Sequence, residues 1–187
     1  MQLSERYSRV AVILHWLVAV LMIGNVILAW SVDYLPDERI RLAIDTHKSI
    51  GITVLGLALL RVLWRLGHRP PTWPAGALTP MESRVSGWVH LGLYALMVLL
   101  PLSGWLHDSA WKAAATHPMT LFGVVPWPRF GFIMDLDPAR KEMLHDLFGE
   151  GHELLGYALY GLLGLHIAGA LKHQWLDRQK ALQRMWF

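Results

Sequence analysis

The sequence predicts an all-α membrane protein built as a four-transmembrane-helix bundle, and three observations predict it. The composition suits a chain solvated by lipid: of 187 residues, 54% are hydrophobic and only 17% charged, with ten Trp and a positive mean hydropathy. Four stretches approach the roughly twenty apolar residues that cross a bilayer. Lys and Arg gather at alternate ends of those stretches, as the positive-inside rule requires.

The same composition excludes several chemistries. The chain has no cysteine, so it forms no disulfides, no thiolate-held iron–sulfur clusters, no Cys-based zinc sites and no covalent c-type haem. Any haem must be held by histidine or methionine. The net charge of +3 does not point to nucleic acid, because the basic residues sit at the ends of apolar runs instead of forming one patch.

The first helix is expected over residues 10–31. It follows Arg6 and Arg9 like a cleavable signal, but it is long, carries Trp16 and Trp30 at its ends and lacks a small-residue cleavage site, so it reads as a retained helix. The second is expected over 44–66 and is stopped by the Pro-rich stretch 69–80, a turnaround loop and not a domain linker. The third is expected over 87–106 and the fourth over 151–171, separated by a long loop from His107 to Glu150. With no repeat or low-complexity tract, residues 1–187 read as one domain.

Orientation follows from the basic residues. Arg6, Arg9, Arg61, Arg65, Arg69, Arg84, Lys172, Arg178, Lys180 and Arg184 fall on the side that holds both termini, which is therefore expected to be cytoplasmic. On the other side Arg39, Arg41, Lys48, Lys112, Arg129, Arg140 and Lys141 are balanced by acids including Asp33, Asp37, Glu38, Asp135, Asp137 and Glu142. Trp16, Trp64, Trp88 and Trp175 are placed near the cytoplasmic interface, and Trp30, Trp105 and Trp111 near the external one.

The histidines carry the chemistry. His152 and His166 lie fourteen residues apart in the last apolar stretch, which returns them to within about 40° of one helix face and separates them by roughly 21 Å along it. With helices alternating in direction, His15 falls at the cytoplasmic depth of His166, and His47 at the external depth of His152. A six-coordinate haem needs two neutral imidazoles on opposite faces, which facing helices of a bundle supply. The expected iron ligands are therefore His15 with His166 on the cytoplasmic side and His47 with His152 on the external side. One intramembrane histidine alone is as readily explained by an interhelical hydrogen bond; four at paired depths are not.

Other residues carry weaker signals. His90 lies at the depth of His15 and competes with it for the same iron, though a hydrogen bond is its more ordinary role. His145 precedes His152 by seven residues, in a stretch read as the external approach to the membrane. His68, His107 and His117 are expected in solvated loops. Gly151, Gly156, Gly161, Gly164 and Gly169 let either a helix or a flat cofactor come close to the fourth helix. Arg61, Arg65 and Lys48 are placed to neutralise haem propionates or to snorkel to headgroups. The methionines are scattered and read as packing.

Arg6-Tyr7-Ser8-Arg9 with Leu14-His15-Trp16-Leu17, His47-Lys48-Ser49-Ile50-Gly51 and Arg61-Val62-Leu63-Trp64-Arg65-Leu66 together carry a resemblance. So do His152-Glu153, Leu165-His166, Ala170-Leu171-Lys172-His173, Asp177-Arg178 and Leu182-Gln183-Arg184-Met185. In this order and spacing, over nearly the whole chain, the sequence resembles the bacterial cytochrome b561 family, related to the cytochrome b subunits of nickel hydrogenases and formate dehydrogenases. The resemblance implies a bundle holding two b-type haems in a bacterial inner membrane, with axial ligands at His15, His47, His152 and His166. It also associates His173 with quinone, where spacing alone suggests an interfacial histidine at a helix end; Arg9 is a further candidate for that pocket.

The function expected is transmembrane electron transfer between an external donor and ubiquinone near His173. No bond to a substrate atom need be made by a protein side chain, because the cofactors carry the redox chemistry. Three alternatives stand beside it. One is superoxide oxidation, an activity known in the family, for which Arg39, Arg41, Lys48, Lys112, Arg129, Arg140 and Lys141 would build an electropositive funnel. Another is a haem-bearing anchor for a periplasmic redox partner, docked on the long loop with its apolar centre Phe122-Gly123-Val124-Val125-Pro126-Trp127, unless that loop folds over the outer haem as a lid. A proton-relaying transporter would have no haem at all.

Overall fold

The computed structural model describes residues 6–74 and 76–186, so residues 1–5, Ala75 and Phe187 of the expected domain lie outside the described residues. Four long helices dominate: α1 (Arg9–Ser31), α2 (Asp37–Gly67), α3 (Pro80–Ala110) and, after a short α4 (Gly131–Met134), α5 (Pro138–Leu171). A short α6 (Ala181–Arg184) ends the chain. Each long helix is apolar and long enough to cross a membrane. Their outward faces carry large apolar side chains such as Leu63, Leu66, Trp88 and Leu154, as lipid-facing surfaces do.

Three helices begin earlier than hydropathy indicates, at Asp37, Pro80 and Pro138 instead of near 44, 87 and 151. The reason is local. Hydropathy detects only the part matched to the apolar layer, whereas helix starts are set by caps. Thr79 and Glu82 form a reciprocal capping box, with Thr79 Oγ1 accepting from the Glu82 amide at 3.2 Å and the Glu82 carboxylate from the Thr79 amide at 2.8 Å. Asp137 accepts from the Arg140 amide at 3.1 Å, and Pro80 and Pro138 each stand in the first turn, where a missing N–H costs nothing. Asp37 and Glu38 open α2 with the charge its amino end favours. The expected loop from His107 to Glu150 is therefore mostly helix at both ends, and only 111–137 connect α3 to α5.

In the bundle α1 packs along α2, α2 along α3 and α3 along α5. Val18, Val54, Ala58 and Met97 form a small core among α1, α2 and α3, lined by Leu21, Met22, Ile50, Leu57 and Tyr94. Among the described residues α5 makes no comparable backbone approach to α1 or α2. It faces them across a gap bridged by side chains.

The ends of the bundle differ. At one, the α3–α5 connection folds into a hairpin, β1 (Thr120–Leu121) against β2 (Val125–Pro126), turned by Phe122 and Gly123, both at positive φ, with Val124 N–H donating to Leu121 O at 3.0 Å. The hairpin is pinned to α2, Phe122 N–H donating to Ser49 Oγ at 2.9 Å, and to α3, Phe130 N–H donating to Ser109 Oγ at 3.2 Å. At the terminal end the tail folds back. Trp16 donates to Met185 O at 2.7 Å, Arg184 donates to Pro71 O at 2.8 Å and lies over the Trp73 ring, and Gln179 donates to Ala77 O.

Candidate functional site

Because α5 stands away from α1 and α2, the histidines meet across the gap. His15 of α1 and His166 of α5 have ring centres 6.1 Å apart, and His47 of α2 and His152 of α5 are also 6.1 Å apart, with interplanar angles of 66° and 81°. A metal–imidazole bond of about 2 Å, with each ring centre about 1.1 Å behind its nitrogen, sets two trans imidazoles on one iron about 6 Å apart. Both pairs fit that spacing. His90 of α3 lies 5.1 Å from His166, short of it, and its Nδ1–H donates to Ser86 O at 2.6 Å on its own helix.

The His47–His152 pair is held in a fixed tautomer. His47 Nδ1 meets Asn25 O at 3.3 Å and His152 Nδ1 meets Leu100 O at 3.1 Å, with Ser103 Oγ at 3.0 Å. A carbonyl only accepts, so each Nδ1 carries the hydrogen and each Nε2 offers a lone pair, the arrangement of a metal-ligating histidine and its supporting carbonyl. Gly104 makes the approach of α3 to His152 possible, since a Cβ there would lie 3.2 Å from the ring. Among the described residues the other pair shows no such bond, and His15 Nδ1 is buried with no partner. Arg61, with its guanidinium 5.2 Å from the Tyr94 ring centre, acts electrostatically on both His15 and His166.

Several residues read as loop or interface belong to packed clusters. His107 is helical and half-buried, its Nε2 3.1 Å from Nε2 of His145. Its expected solvated loop is replaced by the last turns of α3, because the apolar stretch ends before the helix does. Lys48 is committed to an ion pair, with Nζ 2.6 Å from Asp108 Oδ1, and Arg129 Nε lies 2.8 Å from Asp108 Oδ2. Asp108 and Arg129 are buried, at 5% and 7% exposure. Lys48 also lies 3.4 Å from Asp45, so Arg41, Lys48 and Arg129 share the carboxylates of Asp45 and Asp108 and leave positive charge beside the His47 end of the bundle. Of the other cations on that side, Arg140 pairs with Asp137. His68 and His117 are exposed, as expected, His68 stacking on Trp64. Gly151, Gly161, Gly164 and Gly169 have open space where a Cβ would stand, so the close glycine contacts between α3 and α5 are those of Gly92 with Leu162, Gly104 with His152 and Gly149 with His107.

At the terminal end α5 widens into a π turn, Lys172–Leu176, which brings His173 and Asp177 together. His173 Nδ1 lies 2.7 Å from Asp177 Oδ2, and Lys172 Nζ bridges Asp177 at 2.7 Å and Glu82 at 2.6 Å. The Lys172 ammonium, then the His173 ring, hold the Asp177 carboxyl below the usual carboxylate range. His173 also faces Trp73 at 5.8 Å. Glu82, His173 and Asp177 are close enough to hold a metal ion, but Lys172 already supplies the cation between the two acids. Lys172, Glu82 and Asp177 were not legible as a group, because 90 residues of chain separate Glu82 from Lys172.

A protein-family comparison matches residues 6–187 to a family described as prokaryotic cytochrome b561. The chain is 32% identical over 183 residues, covering 97% of itself and 91% of the relative, to a protein named cytochrome b561 homolog 2 from Escherichia coli (strain K12). It is 30% identical over 195 residues, covering 98% of itself and 97% of the relative, to one named probable superoxide oxidase CybB from Yersinia pestis.

Proposed function

The chain belongs to the prokaryotic cytochrome b561 family of helical, b-haem-bearing, electron-transferring membrane proteins, and we propose that it moves electrons across the bacterial inner membrane between an external donor and the quinone pool on two haems. The observation that carries the proposal is the equal 6.1 Å spacing of two histidine pairs at two depths of the same helix. In this reading His15 and His166 hold one haem toward the cytoplasm, where both termini lie, and His47 and His152 hold the other toward the periplasm. Once bound, the haems supply one-electron carriers near each membrane face.

The chain's own residues do the rest. Asn25 O, Leu100 O and Ser103 keep the external imidazoles oriented with Nε2 available. Arg61 and Lys48 place positive charge at the two haem depths, where propionates carry negative charge. His173, held through Nδ1–H on Asp177, offers Nε2–H to a carbonyl oxygen of ubiquinone when protonated on both nitrogens. It then gives that proton up and is left neutral with its hydrogen on Nδ1, facing the Asp177 carboxylate, so the next proton arrives at Nε2 from water at the membrane face. Arg9, first residue of α1, lies at the same end.

The test is a reduced-minus-oxidised spectrum with haem stoichiometry, followed by quinone reduction by the purified protein. Two haems per chain and quinone turnover are expected; a colourless folded protein ends the proposal. A second reading, superoxide oxidation with quinone as acceptor, is supported by the named activity of the Yersinia relative and by the excess of Arg41, Lys48 and Arg129 over Asp45 and Asp108 near the external pair. Rapid mixing with superoxide separates the two, since only this reading predicts reduction and quinone turnover with superoxide as sole donor. A haem-bearing anchor for a periplasmic partner, docked on the exposed Phe122–Val125 turn, would show no turnover until that partner is added.

A further inference from the structure

We propose that His107 and His145 form a binding site for one divalent late-transition-metal ion at the hairpin end of the bundle, separate from the four histidines assigned to haem. Two nitrogens each about 2.05 Å from a common ion and as far apart as this pair subtend about 100° at it, between the square-planar and tetrahedral angles. The measured Nε2–Nε2 separation is 3.1 Å and the ring centres lie 3.9 Å apart, about an ångström closer than two rings aimed at one ion, so the rings swing apart on binding.

The surroundings prepare the pair. His145 Nδ1 lies 3.1 Å from His107 O, and since a carbonyl only accepts, this nitrogen carries the hydrogen and leaves the His145 Nε2 lone pair free. That is the supporting hydrogen bond a metal-ligating histidine uses to fix its tautomer. Without metal, His107 Nε2–H fills the space by donating to that lone pair. Metal binding moves the His107 hydrogen to Nδ1 and replaces one hydrogen bond by two coordinate bonds.

The ring of His107 lies in a notch made by Gly149 of α5, where a Cβ would come within 2.9 Å of it, so both ligands are braced by helices that pack along their length. Both rings are half-buried, so an ion can enter from the hairpin side and water can complete its coordination. Neutral imidazoles favour late first-row ions, with Cu(II) bound more tightly than Zn(II). His107 and His145 lie outside the haem pairs, and among the described residues neither makes an ion pair.

The experiment is titration of the purified haem-loaded chain with CuCl2, read by electron paramagnetic resonance, and with ZnCl2 by equilibrium dialysis. One ion per chain is expected, with the Cu(II) signal split by two imidazole nitrogens. His107→Gln and His145→Gln should each weaken binding by about tenfold or more with the haem spectrum unchanged, whereas His117→Gln, at an exposed histidine of the same end, should not. Failure of the unaltered chain to bind one ion, or binding that survives both substitutions, overturns the site. Should either substitution disturb the fold, the spectrum of the unaltered chain decides: fewer than two coupled imidazole nitrogens overturns the proposal.

Discussion

The two histidine pairs share one spacing but stand in different settings. At the hairpin end His47 and His152 are clamped through Nδ1 by Asn25 O, Leu100 O and Ser103, while at the terminal end His15 Nδ1 is buried without a partner and a third histidine, His90, stands 5.1 Å from His166. One end orients its imidazoles with backbone carbonyls. The other relies on helix placement and on the Arg61 charge, and puts its hydrogen-bonded polar groups instead at the His173–Asp177–Lys172 cluster. A site whose ligands are already fixed loses less on binding than one that must order them. The comparison teaches that one histidine spacing can rest on unequal support.

Removing one ligand tests the division most strongly. His47→Ala and His166→Ala should each lose one haem, a different one, and the remaining spectrum identifies which; retention of both haems in either overturns the pairing. His90→Ala should keep both haems and His15→Ala should lose one, and the reverse result would move the iron ligand from α1 to α3. Next in size is Asp108→Ala, which leaves the buried Arg129 without its carboxylate and Lys48 with Asp45 alone, and should cost about 3–5 kcal/mol in thermal or denaturant unfolding. That loss should loosen the hairpin end first, seen as earlier hydrogen exchange there than around His173.

At the terminal end His173→Ala and Asp177→Asn should lower quinone turnover about tenfold or more while leaving both haems in place. Equal loss of haem would instead make these residues structural. The smallest expected effect is Ser103→Ala, which removes one neutral hydrogen-bond partner near His152 and should cost about 1 kcal/mol. It should shift the midpoint potential of the haem proposed for His47 and His152 alone, and an equal shift of both haems would erase the distinction between the ends.

Much of this architecture was legible in the sequence because it depends on quantities that run along the chain. Apolar length marks the four spans, basic residues alternate with their ends, and fourteen residues between His152 and His166 put two side chains on one helix face. Helix extents were less legible. The Thr79–Glu82 box and the Asp137 cap lie outside the apolar stretches, so hydropathy passes over the turns they start, and His107 and His145 read from sequence as loop and approach.

Apolar length and spacing along single helices therefore determined the membrane setting, the number of spans and the face shared by His152 and His166. Tertiary structure alone decided which polar groups meet: Asp108 with Arg129 across 21 residues of chain, Glu82 with Lys172 across 90, and His107 with His145 across 38. Such partners are chosen by the packing of α3 against α5 and by the folding of the hairpin and tail over the bundle ends. No local pattern encodes them, because the free energy of each contact depends on burial that exists only once the helices have assembled.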